Sequence, residues 1–408
     1  MRKIWILSAC LTLAVGAHAQ NGIDAILRQV EANNKSLQAN TQNVQAQKLE
    51  NRASNNLADP TLSYAHLWDS NDKNITVGEM VIAQSFDFPS LYVSRARLNR
   101  LKASALDAQA NALRQQVLLQ AQEICLDIIM LHRQQLLLDE RLKNAEELAA
   151  MYAQRLETGD ANALETNKIN LELLNVRTEA RMNRTTLDNK LKELTALNGN
   201  QSLVPGRPTP DGPVPASPQN LGLIEYASIP LPADFKLVCE ELLACDPALS
   251  ALQNESLAAQ KQLSVSRQGW LPGLELGYRR NTESGHPLNG IVVGFSFPIF
   301  QNHGKVKAAR SQAQSIDFQR EDAKLNASAT LWQLYDEACN LQASIQEYVD
   351  TFGRQQDLKL LRQALEGGQI SMIEYFLEVS VVYQSQTNLL QLENQYQKTM
   401  ARIYKSKL

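Results

Sequence analysis

The chain has 408 residues, with 40 Lys and Arg against 43 Asp and Glu, and a formal net charge of −3. That balance leaves no basic footprint for nucleic acid and no acidic tail. With 44% hydrophobic and 20% charged residues the composition excludes wholesale disorder, and with only 6% aromatics it suits long helices with small contact residues better than an aromatic-rich core. Five Cys and five His, widely scattered, exclude a disulfide scaffold and speak against a zinc module.

Residues 1–19 read as a secretory signal peptide: a basic Arg2-Lys3, an apolar run from Ile4 to Val15, and a small-x-small site at Ala17-His18-Ala19. The run is about 12 residues, too short to span a bilayer, which takes about 20. Leu7-Ser8-Ala9-Cys10 resembles a lipoprotein cleavage box. Cutting there leaves an apolar region shorter than the roughly 7–15 residues a signal carries, so cleavage after Ala19 is expected. Past Ala19, the densest apolar patch, Ile124 to Leu131, is short and interrupted by Asp127. No transmembrane helix is expected, and an exported chain is then either soluble or embedded by other means.

The remainder reads as two copies of one plan. Phe86-Asp87-Phe88-Pro89 recurs 209 residues on as Phe295-Ser296-Phe297-Pro298, and Leu156-Glu157-Thr158-Gly159 as Leu365-Glu366-Gly367-Gly368. Glu165 recurs as Glu374 at the same offset. Leu37, Ala39, Ala46 and Pro60 recur at an offset of 212 as Leu249, Ala251, Ala258 and Pro272. Ordered identities at a nearly constant offset predict a tandem duplication. Repeat one is expected over 20–200, a Pro-rich linker over 201–232 and repeat two over 233–408, the two repeats forming one structural unit. Each repeat is expected to carry a helix (about Ile23–Leu57 and Phe235–Gln268), two strands, a very long helix, a tight reversal and a returning helix. Pro205 to Pro218 hold six of the fourteen prolines, which predicts an extended, non-helical connection.

Ser90 to Glu157 lacks Gly and Pro, enough for about 100 Å of helix. Lys305 to Glu366 repeats it with one interior glycine, Gly353. Helices this long imply a coiled coil or helical tube. The stripe Leu98, Leu101, Ala105, Ala108, Ala112, then Leu131, Leu138, Leu142 and Ala145 is partly alanine and allows close helix approach. At the reversals, Gly159 and Gly368 supply left-handed caps. Asn162-Ala163-Leu164-Glu165 and Ser371-Met372-Ile373-Glu374 are capping boxes, with Ile370 and Tyr375 at staple spacing.

The expected strands alternate. Leu62, Tyr64 and Trp68 share one face of the first, and Met80, Ile82, Phe86 and Phe88 one face of the second, broken by Gln84. Leu274–Arg279 and Ile291–Phe297 behave likewise, and Pro89 and Pro298 mark strand-to-helix exits. One buried face of a soluble sheet reads the same way strand by strand. Four strands, however, leave two open edges, and a barrel takes about eight or more, so a barrel must be shared between copies.

The tandem copies, the Phe-x-Phe-Pro exits and the Gly-then-Asn/Ser-x-x-Glu reversals resemble the TolC family of outer-membrane efflux ducts over essentially the whole mature chain. The shortness of the chain and the segment Glu79–Gln84 look closer to its heavy-metal branch. The resemblance implies a mainly α fold with a small β part: long helical hairpins forming an α-barrel, plus four strands per chain in the shared β-barrel of a homotrimer. It implies an outer-membrane location with the helical part in the periplasm, and contact with outer-membrane lipid. A periplasmic adaptor and a proton-driven inner-membrane pump are the implied partners, in a tripartite efflux or secretion system, with no cofactor. It places the periplasmic entrance at Glu165 and Glu374, and the reversal and adaptor-docking positions at Gly159, Asn162, Leu164, Gly368, Ser371 and Ile373. Three copies of each glutamate would form carboxylate rings that attract cations, although each also serves as a helix cap. Gln369-Ile370 stand where family members can carry a basic residue, which leaves a salt-bridge lock there without its cation.

His66, His132, His286 and His303 have no ligand spacing, and His132 reads as a polar-face residue. Cys239 and Cys245, six apart on one helix, fit neither a disulfide nor a metal pair. No catalytic motif occurs, so no enzyme is expected. The competing function is a soluble periplasmic coiled-coil adaptor or scaffold, which accounts for the hairpins but not for the Phe-x-Phe-Pro strands.

Overall fold

The computed structural model describes residues 22–68, 70, 76–159, 162–204, 216–283, 286–352 and 357–408. The signal peptide with Cys10 and Ala19, the prolines from Pro205 to Pro215, and Gly353 lie outside the described residues. The fold is mainly helical with one four-stranded sheet. In chain order the elements are α1 (22–33), α2 (Lys35–Ala53), β1 (Thr61–Trp68), β2 (Thr76–Phe86), α3 (Pro89–Glu157), α4 (Ala163–Leu197) and α5 (Pro218–Leu221). Then follow α6 (Phe235–Cys245), α7 (Pro247–Gln268), β3 (Gly273–Glu283), β4 (His286–Ser296), α8 (Lys305–Phe352), α9 (Asp357–Glu366) and α10 (Met372–Ile403).

The chain divides into two units, each drawing on both halves of the sequence. One comprises the residues up to Gln38, Leu113–Leu242 and Ser328–Leu408; the other comprises Ala39–Ala112 and Leu243–Ala327.

In the first unit, Ile26 and Val30 of α1 pack with Leu118, Ala121, Ile124, Ile128 and Ile129 of α3 and with Leu187, Leu191 and Leu194 of α4. Asp127, the interruption in that apolar run, is held by Lys398 at 2.5 Å and Lys190 at 3.8 Å, and accepts from Asn394 Nδ2 at 2.9 Å. It thus ties α3 to α4 and α10 with its charge compensated. His132 is buried, not on the polar face as its sequence context suggested, and burial holds its imidazole below the ordinary histidine range. The fully buried Cys125 has its thiol pushed up to about 12 by desolvation and is inert as a nucleophile.

Both helices expected to run unbroken before the strands are interrupted. Asn34 is non-helical: its side chain accepts from Leu37 N at 3.0 Å, restarting the chain as α2, and donates to Leu197 O at 2.9 Å. At Asp246 the carboxylate caps α7 through Ala248 N at 2.7 Å, and Pro247 occupies the first helical position. The two breaks are 212 residues apart, the offset of the neighbouring identities. The Pro-rich connection also departs from its expectation at its end, where Ser217 caps the one-turn helix α5 and Pro218 opens it.

In the second unit, Leu91, Leu98 and partly buried Leu101 of α3 pack against Ala258 and Val265 of α7. The sheet is an antiparallel meander in the order β1-β2-β3-β4, with β1 and β4 as edges. Its central pairing, β2 with β3, joins segments far apart in sequence: Met80 opposes Arg280 and Ile82 opposes Tyr278.

Candidate functional site: the reversals and the sheet

At the first reversal Gly159 has φ +80°, Leu164 N donates to Asn162 Oδ1 at 2.9 Å, and Asn162 N donates to Glu165 Oε2 at 3.2 Å. At the second, Gly368 has φ +66°, Glu374 N donates to Ser371 Oγ at 3.2 Å, and Ser371 N donates to Glu374 Oε2 at 2.8 Å. Both glycines occupy the left-handed region that side chains resist, and both glutamates close reciprocal caps.

The Ser371 hydrogen bonds hold the Glu374 carboxyl below the ordinary glutamate range. The sign follows: the cap is fully formed above the unfolded-state value and is lost as pH falls through the lower folded-state value. Ser371→Ala is expected to cost about 1 kcal/mol. Hydrogen exchange over residues 366–376 should quicken in the variant at neutral pH, and the difference from wild type should shrink on acidification. An unchanged exchange rate would show that the cap contributes nothing.

The two reversals converge. Leu148 and Tyr152 of α3, Ile169 of α4, Leu365 of α9 and Met372 and Tyr375 of α10 form one buried cluster, with Ile370 and Phe376 against it. Ile370 and Tyr375, at staple spacing around the cap, both pack into this cluster. Leu164 (75% exposed) and Ile373 (49%) face away from this cluster, followed on their helices by exposed Leu171 and Leu174, and by Leu377 and Val381.

Sequence reasoning missed the ionic ties beside it. Arg141 reaches Glu172 at 2.5 Å and Glu179 at 3.2 Å; Arg362 reaches Glu147 at 3.0 Å and Glu366 at 3.1 Å. Asn144 donates to the Tyr383 hydroxyl at 2.9 Å. Glu172 and Glu179 lie one heptad apart on α4, a spacing that puts both on one helix face. Nothing in the sequence, however, assigns them to Arg141.

The sheet supplies the second feature. Its register collects Leu62, Ile82, Tyr278 and Ile291 in one cross-strand row, and Phe86, Leu274 and Phe295 in another, all on the same face. Leu62, Ile82, Ile291, Val293 and Phe295 on this face are all exposed. Gln84, a polar break between Ile82 and Phe86, gives its amide to Ala58 O at 2.5 Å.

The opposite face carries Ser63, Ala65, Ala83, Gly273, Gly277, Gly290 and Gly294 beside Leu67, Val77, Val81, Leu288 and Val292, with Glu79, Glu275 and Arg279 among its charges. Arg279 pairs with Glu79 at 2.7 Å. Two charged residues of β3 on this face oppose glycines of β4: Glu275 opposes Gly294 and Arg279 opposes Gly290. Glu275 lies over Gly294, its Cβ 3.3 Å from where a β-carbon would stand, so the side chain rests along the wall. Two residues separate the end of β2 from Pro89, which opens α3, whereas six residues of turn separate Pro298 from α8.

Among the described residues no helix is long and apolar enough to cross a membrane, and no cluster of His, Cys, Asp or Glu is arranged as metal ligands.

Residues 238–406 match the family described as Outer membrane efflux protein. No curated protein matches the chain significantly in sequence. Among solved structures, CusC, described in connection with transmembrane channel formation, superposes with a TM-score of 0.76 at 16% identity, covering 95% of this chain and 92% of its own. A membrane protein of Pseudomonas aeruginosa gives 0.75 at 16% identity, covering 94% and 93%. The outer membrane protein VceC of Vibrio cholerae gives 0.73 at 14% identity, covering 94% and 95%. Residues 238–406 thus match that family in sequence, and nearly the whole chain shares its fold with these solved structures.

Proposed function

We propose that the chain is one protomer of a homotrimeric outer-membrane exit duct, passively conducting small molecules or metal ions from periplasm to exterior. The observation that carries this reading is the sheet: open at β1 and β4, apolar and exposed on one face, glycine-rich and charged on the other. Lipid tolerates no open strand edge. Pairing β4 of one copy with β1 of the next closes the sheet, and three copies give twelve strands. The apolar face then meets hydrocarbon, and the glycine-rich face lines water. The fold shared with a protein described in terms of a transmembrane channel supports this closure.

In this reading the long helices continue the conduit into the periplasm. Three copies of Glu165 and Glu374 ring its entrance while still capping their helices, and conduction there favours cations. Exposed Leu164 and Ile373 offer apolar anchors to a periplasmic adaptor, which links the duct to a proton-driven inner-membrane pump. The duct itself carries out no chemistry. The resemblance to the heavy-metal branch makes metal ions the first cargo to test, in a susceptibility panel on a deletion strain.

The mature chain is expected to resist carbonate extraction, to purify in detergent as particles with threefold symmetry, and to conduct ions in planar bilayers. A chain that washes off membranes and is monomeric in buffer without surfactant would instead be the soluble scaffold.

A further inference from the structure

The apolar face of the sheet changes character toward its hairpin end, where β1 meets β2 and β3 meets β4. Arg280 stands there, exposed, in register between Met80 and Asn289. Among the described side chains of the four strands, the acidic ones are Glu79 and Glu275. By register both lie on the opposite face, where Glu79 already holds Arg279. Among the described side chains no carboxylate shares the apolar face with Arg280, which suits its guanidinium to an anion supplied from outside the chain.

Two tyrosines stand at adjacent levels here, Tyr64 in the Arg280 row and Tyr278 one row farther from the hairpin end. The Tyr278 hydroxyl hydrogen-bonds Asn289 Oδ1 at 2.7 Å, and Tyr64 Oη lies 3.2 Å from where a β-carbon of Gly78 would stand. Each ring starts on the apolar face and directs its hydroxyl one register step toward the hairpin end. That is the orientation of an aromatic at the boundary between hydrocarbon and headgroups. With Tyr278 donating to its oxygen, Asn289 keeps its Nδ2 amide as a donor beside the Arg280 fork.

We propose that Arg280 and Asn289 bind the phosphate of an anionic lipid headgroup in the leaflet around the hairpin end. The inference rests on the membrane-barrel reading above. The guanidinium supplies a planar pair of N–H groups matched to two phosphate oxygens, and the asparagine amide supplies a third donor.

The test uses the full mature chain in neutral detergent. Three probes are added: phosphatidic acid, the matching diacylglycerol and inorganic phosphate. Retention is read by native mass spectrometry and by thermal unfolding. Wild type should retain phosphatidic acid over diacylglycerol. Arg280→Gln should weaken that retention about fivefold per site. Arg280→Lys should retain more than Arg280→Gln, and Arg279→Gln, on the other face, should match wild type. Equal retention by Arg280→Gln and wild type would overturn the proposal. So would diacylglycerol binding as tightly, which would indicate apolar contact alone, or inorganic phosphate competing equally, which would indicate a simple ion site.

A flotation assay on vesicles separates the two levels of the reading. If wild type and Arg280→Gln both float, the barrel reading stands whatever the lipid result. If wild type does not float, the barrel reading and this proposal fall together.

Discussion

Val293→Arg is expected to remove the chain from the membrane fraction, while Val292→Arg, one residue away, leaves it there. Val293 shares its cross-strand row with Leu276 on the exposed apolar face; Val292 opposes Gly277 on the glycine-rich face. In the proposed barrel the Val293 row sits near mid-height, between the Phe86–Leu274–Phe295 row and the Tyr278–Ile291 row. An arginine there costs about 2–4 kcal/mol against lipid. Threefold symmetry repeats that cost in every copy of a closed barrel. Arginine at Val292 faces a side that already holds Arg279, with glycines to lie against. The readout is carbonate-resistant protein and the trimer band of a detergent extract. Equal loss for both variants would mean that neither face meets lipid and would return the sheet to a soluble role.

What could be read from the residues was whatever has a short period. The alternation at Leu62-x-Tyr64 and Ile291-x-Val293-x-Phe295 placed the strands and their apolar side. The absence of Gly and Pro from Ser90 to Glu157 placed α3 to within one residue. Gly159 and Gly368, each followed by an Asx or Ser cap and a Glu, placed the reversals, because a left-handed cap and a reciprocal hydrogen bond are local chemistry. The misreadings also have local causes. A 3.6-residue pattern runs straight through Asn34 and Asp246, so the two helices looked continuous. Asp246-Pro247 carried a start signal in plain view, whereas Asn34 becomes a cap only because Leu197 O takes its other end. His132 looked polar by type, but its position on α3 is buried.

The remainder depends on partners distant in sequence, which no periodicity encodes. Nothing near Met80 specifies Arg280 as its neighbour, yet that register decides which charges share a face. Likewise Arg141 has several glutamates at plausible spacing, and only the packing of α3 on α4 selects Glu172 and Glu179.

The same distinction gives the residue whose loss should most damage the helical unit. Asp127 looked like a flaw in an apolar run, and the fold makes it the junction of three helices. Its carboxylate is mostly covered, holds Lys398 and Lys190, and accepts from Asn394. Asp127→Ala strands the Lys398 ammonium against an apolar core and leaves an asparagine amide unmatched. Removing one partner of a buried pair costs about 3–5 kcal/mol, and the residual exposure of this site lowers the expectation to about 2–4 kcal/mol. The denaturant midpoint of the helical unit should fall accordingly. Asp127→Leu combined with Lys398→Met should recover part of the loss, because an apolar pair avoids the desolvation that a lone charge incurs. Lys190 remains served by Glu193 at 2.9 Å in either variant. Losses that simply add in the double variant would mean that the two side chains act independently. A single variant within about 0.5 kcal/mol of wild type would place Asp127 among surface charges, which contribute little.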